Sequence, residues 1–152
     1  MPDDILGIPL HPLVVHATVV LVPLASLGTL VFTIIPRWRR LYGWLIVAVS
    51  LVALVLVPLT TRTGRRLRDG LELGGPVLEK IQEHEQMGDR VIWAVAPMFV
   101  LNVVAMLMVR AGRSAREVTV VAVVSSIAAL AALVLVVLTG HLGSEAVWNP
   151  AG

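Results

Sequence analysis

The chain has 152 residues, 57% of them hydrophobic and 14% charged, with 12 basic and 10 acidic side chains and no cysteine. Globular domains are about 45–50% apolar and about 25% charged, so most soluble classes are excluded; the lack of cysteine removes disulfides, thiolate metal sites and the usual ligands of iron–sulfur clusters. A mean hydropathy of +0.89, in a length that accommodates four spans of about 20 residues each, points to one membrane domain over residues 1–152.

The first apolar stretch runs from about Leu13 to Ile35. Asp3 and Asp4 precede it where a secretory signal would be basic, and it is longer than a signal's apolar region, so it is expected to remain in the mature protein. Trp38 follows among Arg37, Arg39 and Arg40, and the second stretch occupies Leu41 to about Leu59. Thr60 to Leu73 is expected to prolong the second helix as an arginine-rich amphipathic segment. Gly74 and Gly75 then break it, and Pro76 opens a short amphipathic helix whose stripe is Val77, Leu78 and Ile81, lying over the mouth of the bundle. The third stretch, Val91 to Val109, is joined to the fourth, Val118 to Leu138, through Arg110, Arg113 and Arg116. None of the four contains a charged residue, and each is long enough to span.

The two short connections are densely basic and are therefore assigned to the cytoplasm. The longer segment from Arg62 to Arg90 carries six basic residues, but six acids match them. The fold expected is an all-α integral membrane four-helix bundle with both termini outside, no strands and no internal repeat. Arginines flanking apolar runs serve orientation, so nucleic acid is not a partner; lipid is. Gly28, Gly43, Ala128 and Ala132 are small enough for close helix contacts within one copy or between copies of a homo-oligomer. Ser50, Asn102, Ser125 and Ser126, with Ser26 and Thr29, are expected to form a polar packing layer. No intramembrane Asp, Glu, Lys or Arg is available to carry protons or ions, which argues against a pump.

Counting from the basic ends at about 1.5 Å per residue sets His16 and His141 near the outer hydrocarbon boundary, with His11 and His84 beyond it. Imidazole is a common ligand for haem iron, zinc and copper. Two histidines from different helices can hold haem b axially, with His16 and His141 preferred and His84 and His11 as alternates. Alternatively, three histidines with a carboxylate from Glu83, Glu85 or Glu145 can hold a transition metal. Residues five apart on a helix differ by about 140°, so His11 and His16 cannot share one ion from a regular helix.

Leu10-His11-Pro12-Leu13-Val14-Val15-His16 resembles the opening motif, and Thr139-Gly140-His141-Leu142-Gly143-Ser144 the closing motif, of a bacterial family of four-span proteins called domain of unknown function 2231. The resemblance implies a multi-pass protein of the bacterial inner membrane and assigns no activity. Two readings stand open: a small redox or metal-handling module built on the outer histidines, or an accessory subunit, not itself an enzyme, whose outer cap docks a membrane or periplasmic protein. A nucleophile–base enzyme is disfavoured because Ser144 beside His141 has no strained-turn setting and no third partner.

Overall fold

The computed structural model describes residues 4, 5, 7–71 and 74–149. Four long helices dominate it: α1 (Leu10–Ile34), α2 (Arg39–Asp69), α3 (Gly75–Arg110) and α4 (Ala115–Trp148). A single 3-10 turn, Pro36–Trp38, links the first two. Although no strands were expected, two-residue strands β1 (Asp4–Ile5) and β2 (Ile8–Pro9) pair antiparallel ahead of α1, through a turn in which Gly7 takes φ 79°.

The helix ends follow from local chemistry. Pro36 forces the preceding Ile35 out of the helical region, to φ −118° and ψ 80°, and α1 stops there. Gly112, at φ 69°, ends α3 in a Schellman turn: the Arg113 N–H donates to Met108 O at 3.0 Å and the Gly112 N–H to Val109 O at 3.3 Å. Ser114 opens α4 with a capping box to Glu117. Pro23, Pro58 and Pro97 lie inside helices that continue past them.

Each helix contacts its neighbours in chain order and α4 closes onto α1, so α1 and α3 face each other across a diagonal. All four are long and apolar enough to cross a membrane. The burial pattern suits lipid rather than water: Val20, Leu24 and Leu27 of α1 and Leu45, Val52 and Val55 of α2 are exposed, while alanines, serines and threonines are buried among valines in the interior. The small residues singled out in the sequence are used within the chain. Gly43 admits the Met106 side chain and Gly28 that of Ile46, Ala132 is fully buried, and Ala128 packs against the same core.

At 31 and 36 residues, α2 and α3 are about 46 and 54 Å long, well beyond a hydrocarbon core of about 30 Å. The extension of α2 through residue 69 agrees with the sequence reading. The separate short helix expected over the bundle mouth is instead the opening of α3. Nothing between Ile81 and Val91 breaks a helix, since Gly88 alone costs only about 1 kcal/mol there, and the chain runs straight from the extension into the span.

A polar layer divides the core. On one side lie Val22, Ala53, Val57, Val95 and Met98, on the other Phe32, Val47, Ala105 and Met106. Between them Asn102 of α3 donates to Thr29 Oγ1 of α1 at 2.8 Å and to Ser50 Oγ of α2 at 3.1 Å, and its Oδ1 accepts from Ser125 Oγ of α4 at 2.9 Å. One side chain thus ties all four helices. Nearby, Ser126 pairs with Thr33 at 2.9 Å, and Ser26 reaches the Met98 sulfur at 3.8 Å.

Arg39 is 3% exposed and works as a cap made by a side chain. Its Nε donates to Phe32 O at 2.8 Å, and one terminal nitrogen donates to Thr33 O and to Thr119 Oγ1, both at 3.0 Å. These are carbonyls that the last turn of α1 leaves without helical partners, and a cation there also complements the helix dipole. The guanidinium carbon lies 5.4 Å from the Phe32 ring centroid.

Replacing Asn102 with Leu should lower the unfolding free energy in detergent by only about 1–2 kcal/mol, because interhelical hydrogen bonds in membranes are individually weak and Thr29, Ser50 and Ser125 all retain backbone acceptors. An unchanged unfolding midpoint would contradict the tie. Arg39→Leu should cost more, about 2–3 kcal/mol, by orphaning two buried carbonyls, and Arg39→Lys should recover only part of this since one ammonium cannot copy the fork.

Candidate functional site

At the end of the bundle opposite the arginine-rich connections, a cavity of about 320 Å³ opens between the helices, within the size range of small-molecule sites. Val15 and Val19 of α1, Val57 of α2, Ile81 of α3 and Val136 of α4 contribute to a mainly apolar wall, and two histidines, His11 and His84, face into the same space.

The two rings are held alike. His11 leaves α1 toward α2, where its Nδ1 lies 3.2 Å from Thr60 O and 3.2 Å from Thr63 Oγ1. His84 leaves α3 toward α4, where its Nδ1 lies 2.9 Å from Thr139 O. A carbonyl oxygen only accepts, so Nδ1 carries the proton in both rings and the neutral imidazole keeps its lone pair on Nε2. Neither Nε2 has a hydrogen-bond partner among the described residues.

Why the rings fit there is written in the partner helices. In an α-helix the carbonyl of residue i points toward residue i+4, and in both cases that residue is glycine: Gly64 after Thr60, Gly143 after Thr139. A Cβ at Gly64 would lie 3.0 Å from His11 Cε1, and one at Gly143 only 2.9 Å from His84 Cε1. Each imidazole therefore occupies the space of a missing side chain and takes the carbonyl that glycine leaves open. A turn earlier the threonine hydroxyls bond back to Leu56 O at 2.9 Å and Leu135 O at 2.7 Å. The pattern Leu-x₃-Thr-x₃-Gly thus occurs at 56–64 and again at 135–143, and the α1–α2 and α3–α4 hairpins are alike in this respect, a repeat absent from the sequence reading.

Charged residues rim the cavity. Arg65 pairs with Asp89 and Arg68 with Glu85 and Asp69, and the first four of these line it. Glu85 Oε1 is buried without a hydrogen-bond partner. Such an atom normally costs about 1–3 kcal/mol or more.

The other candidates lie outside. His16 is exposed, with Nδ1 on Pro12 O at 2.6 Å, and His141 is 67% exposed beside Glu145 at 3.6 Å on the same helix; neither lines the cavity. Glu83 is exposed as well. The four histidines do not form one cluster, and among the described residues no group of three or more His, Asp or Glu side chains is placed to hold a metal ion. The three-histidine-plus-carboxylate site is thereby corrected to a two-histidine arrangement. Geometry around the helix axis explains it: with His11 turned inward, His16 is rotated by about 140°, and His141 lies about 200° from Gly143.

A family model described as predicted membrane protein (DUF2231) matches residues 7–151. No curated protein and no solved structure matches the chain. With four helices able to span a membrane and a match over nearly all its length, the chain belongs to the DUF2231 family of predicted membrane proteins.

Proposed function

We propose that this protein is a redox module of the bacterial inner membrane that holds one haem b between His11 and His84, near the outer face, with both termini outside. The observation that carries this reading is the matched pair of imidazoles from diagonal helices. Each has Nδ1 committed to a threonine carbonyl and Nε2 unbonded, and both line one apolar cavity.

That donor set suits haem iron better than a closed metal site, because His11 and His84 would supply two nitrogen ligands from opposite helices, whereas structural zinc takes four ligands. The apolar wall suits a macrocycle. Arg65 and Arg68, already on exchangeable ion pairs at the rim, are the cations its carboxylates would meet. Haem ligated by two histidines supplies one-electron transfer. The protein's own contribution is orientation: the carbonyl partners hold each ring in one tautomer and raise the basicity of its Nε2, and the glycines fix ring position. The orientation in the membrane rests on the short arginine-rich connections. Because the middle of the bundle is filled by Met98 and the Asn102 tie, a second ligand pair is absent at that depth among the described residues, and electrons would enter and leave on the histidine side.

Protein expressed with haem available and purified in mild detergent should show a Soret band that shifts on reduction. His11→Ala or His84→Ala should each remove one of the two nitrogens that would hold the iron and cut haem content at least tenfold, while His16→Ala and His141→Ala leave the spectrum unchanged. Loss on changing His16 or His141 instead would contradict the assignment, and a colourless protein would favour the accessory-subunit reading. Gly64→Val and Gly143→Val should act like the histidine changes, about 10–100-fold on haem affinity, with helix content preserved by circular dichroism; full haem occupancy in both would sink the ring-seat argument.

A further inference from the structure

The opposite end of the bundle carries a second built site. Residues 35–40 and 110–117 hold six arginines and one acid, Glu117. That acid is turned into the α4 cap, where Oε2 accepts from the Ser114 N–H at 2.9 Å and from Ser114 Oγ at 2.8 Å; its other oxygen lies 3.8 Å from Arg113. A cavity of about 340 Å³ between the two short connections is lined by Arg37, Arg39, Arg40 and Arg113 together with Val109 and Val118. Arg39 is fixed at its base by the bonds that cap α1, while Arg37, Arg40 and Arg113 are exposed at its edge. Ala115, in the first turn of α4, also lines it, and that helix end adds positive potential.

We infer that this cavity binds the phosphate headgroup of an acidic phospholipid, one whose headgroup brings no cation to offset its phosphodiester. With one acid against six arginines in the two connections, positive charge is left in excess and fits an anion. The half-buried Val109 and the buried Val118 give the cavity an apolar inner wall beside the arginines, which a free phosphate would not use. Basic pockets between membrane helices take lipid headgroups by this combination, and arginine forks match phosphate oxygens geometrically.

The test uses full-length protein stripped of lipid in neutral detergent, titrated with phosphatidylglycerol, phosphatidylcholine or inorganic phosphate, with bound lipid counted by native mass spectrometry and stability followed by thermal unfolding. Phosphatidylglycerol should bind saturably and raise the unfolding temperature, phosphatidylcholine should do neither, and inorganic phosphate should not displace the lipid. A triple variant, Arg37→Gln, Arg40→Gln and Arg113→Gln, which leaves Arg39 in place, should bind on the order of 100-fold more weakly, since each cation near the surface contributes roughly fivefold. The triple Lys variant should retain most of the binding. Equal response to both lipids, undiminished binding by the Gln variant, or displacement by phosphate at matching concentration would each overturn the assignment.

Discussion

A membrane helix gains little by turning one leucine from lipid toward another leucine, so close packing and interhelical hydrogen bonds must hold this bundle together. The contact on which the arrangement turns is the amide of Asn102. Its two donors and its acceptor are all used, and each goes to a different helix. Around it the interior is built mainly of valine, alanine, serine and threonine, with Met106 set into the gap at Gly43. Arg39 secures the arginine-rich end by satisfying the carbonyls of α1. With these contacts fixed, α1 and α3 stand on a diagonal, and their histidine-bearing ends face one cavity.

At that end the physics is one of open space and open acceptors. Each imidazole needs steric access to a helix carbonyl, whose second lone pair can accept beside the ladder bond, and a gap wide enough for a ring; glycine four residues after threonine supplies both. The same device on α2 and α4 yields two rings with their Nε2 atoms uncommitted. Arg65 and Arg68 place exchangeable positive charge at the rim, and Glu85 leaves one carboxylate oxygen unsatisfied beside it. A buried acceptor left unpaired, as Glu85 Oε1 is, bears a cost in stability, and such costs are commonly tied to a bound partner.

Much of the fold was legible before any coordinates. Uninterrupted apolar runs mark the four spans and the depth count groups the serines with Asn102, whereas Gly74 and Gly75 mark only where α3 starts, since α2 ends earlier, at Asp69 with Gly70 as its cap. In the sequence the opening of α3 looks like a separate helix, because Pro76 signals a start and only the lack of a breaker shows that the helix runs on into the span. For the histidines, depth alone does not say which of them line the cavity. It favoured His16 and His141, whereas rotation about the helix axis turns both away from the cavity and brings His11 and His84 to it. The signal that could have found the site was present twice, as Leu56-Thr60-Gly64 and Leu135-Thr139-Gly143. Spacing of this kind becomes informative only when carbonyl and glycine are considered together as the seat for a ring on the neighbouring helix.

The central claim is most directly tested by titrating haem into purified haem-free protein while following the visible spectrum and the electron paramagnetic resonance of the oxidised iron. Saturation at one haem per chain, with a low-spin signal of two imidazole ligands that the double variant His11→Ala, His84→Ala cannot form, is the expected result. Absence of saturable binding, or the same low-spin signal in the double variant, would contradict it.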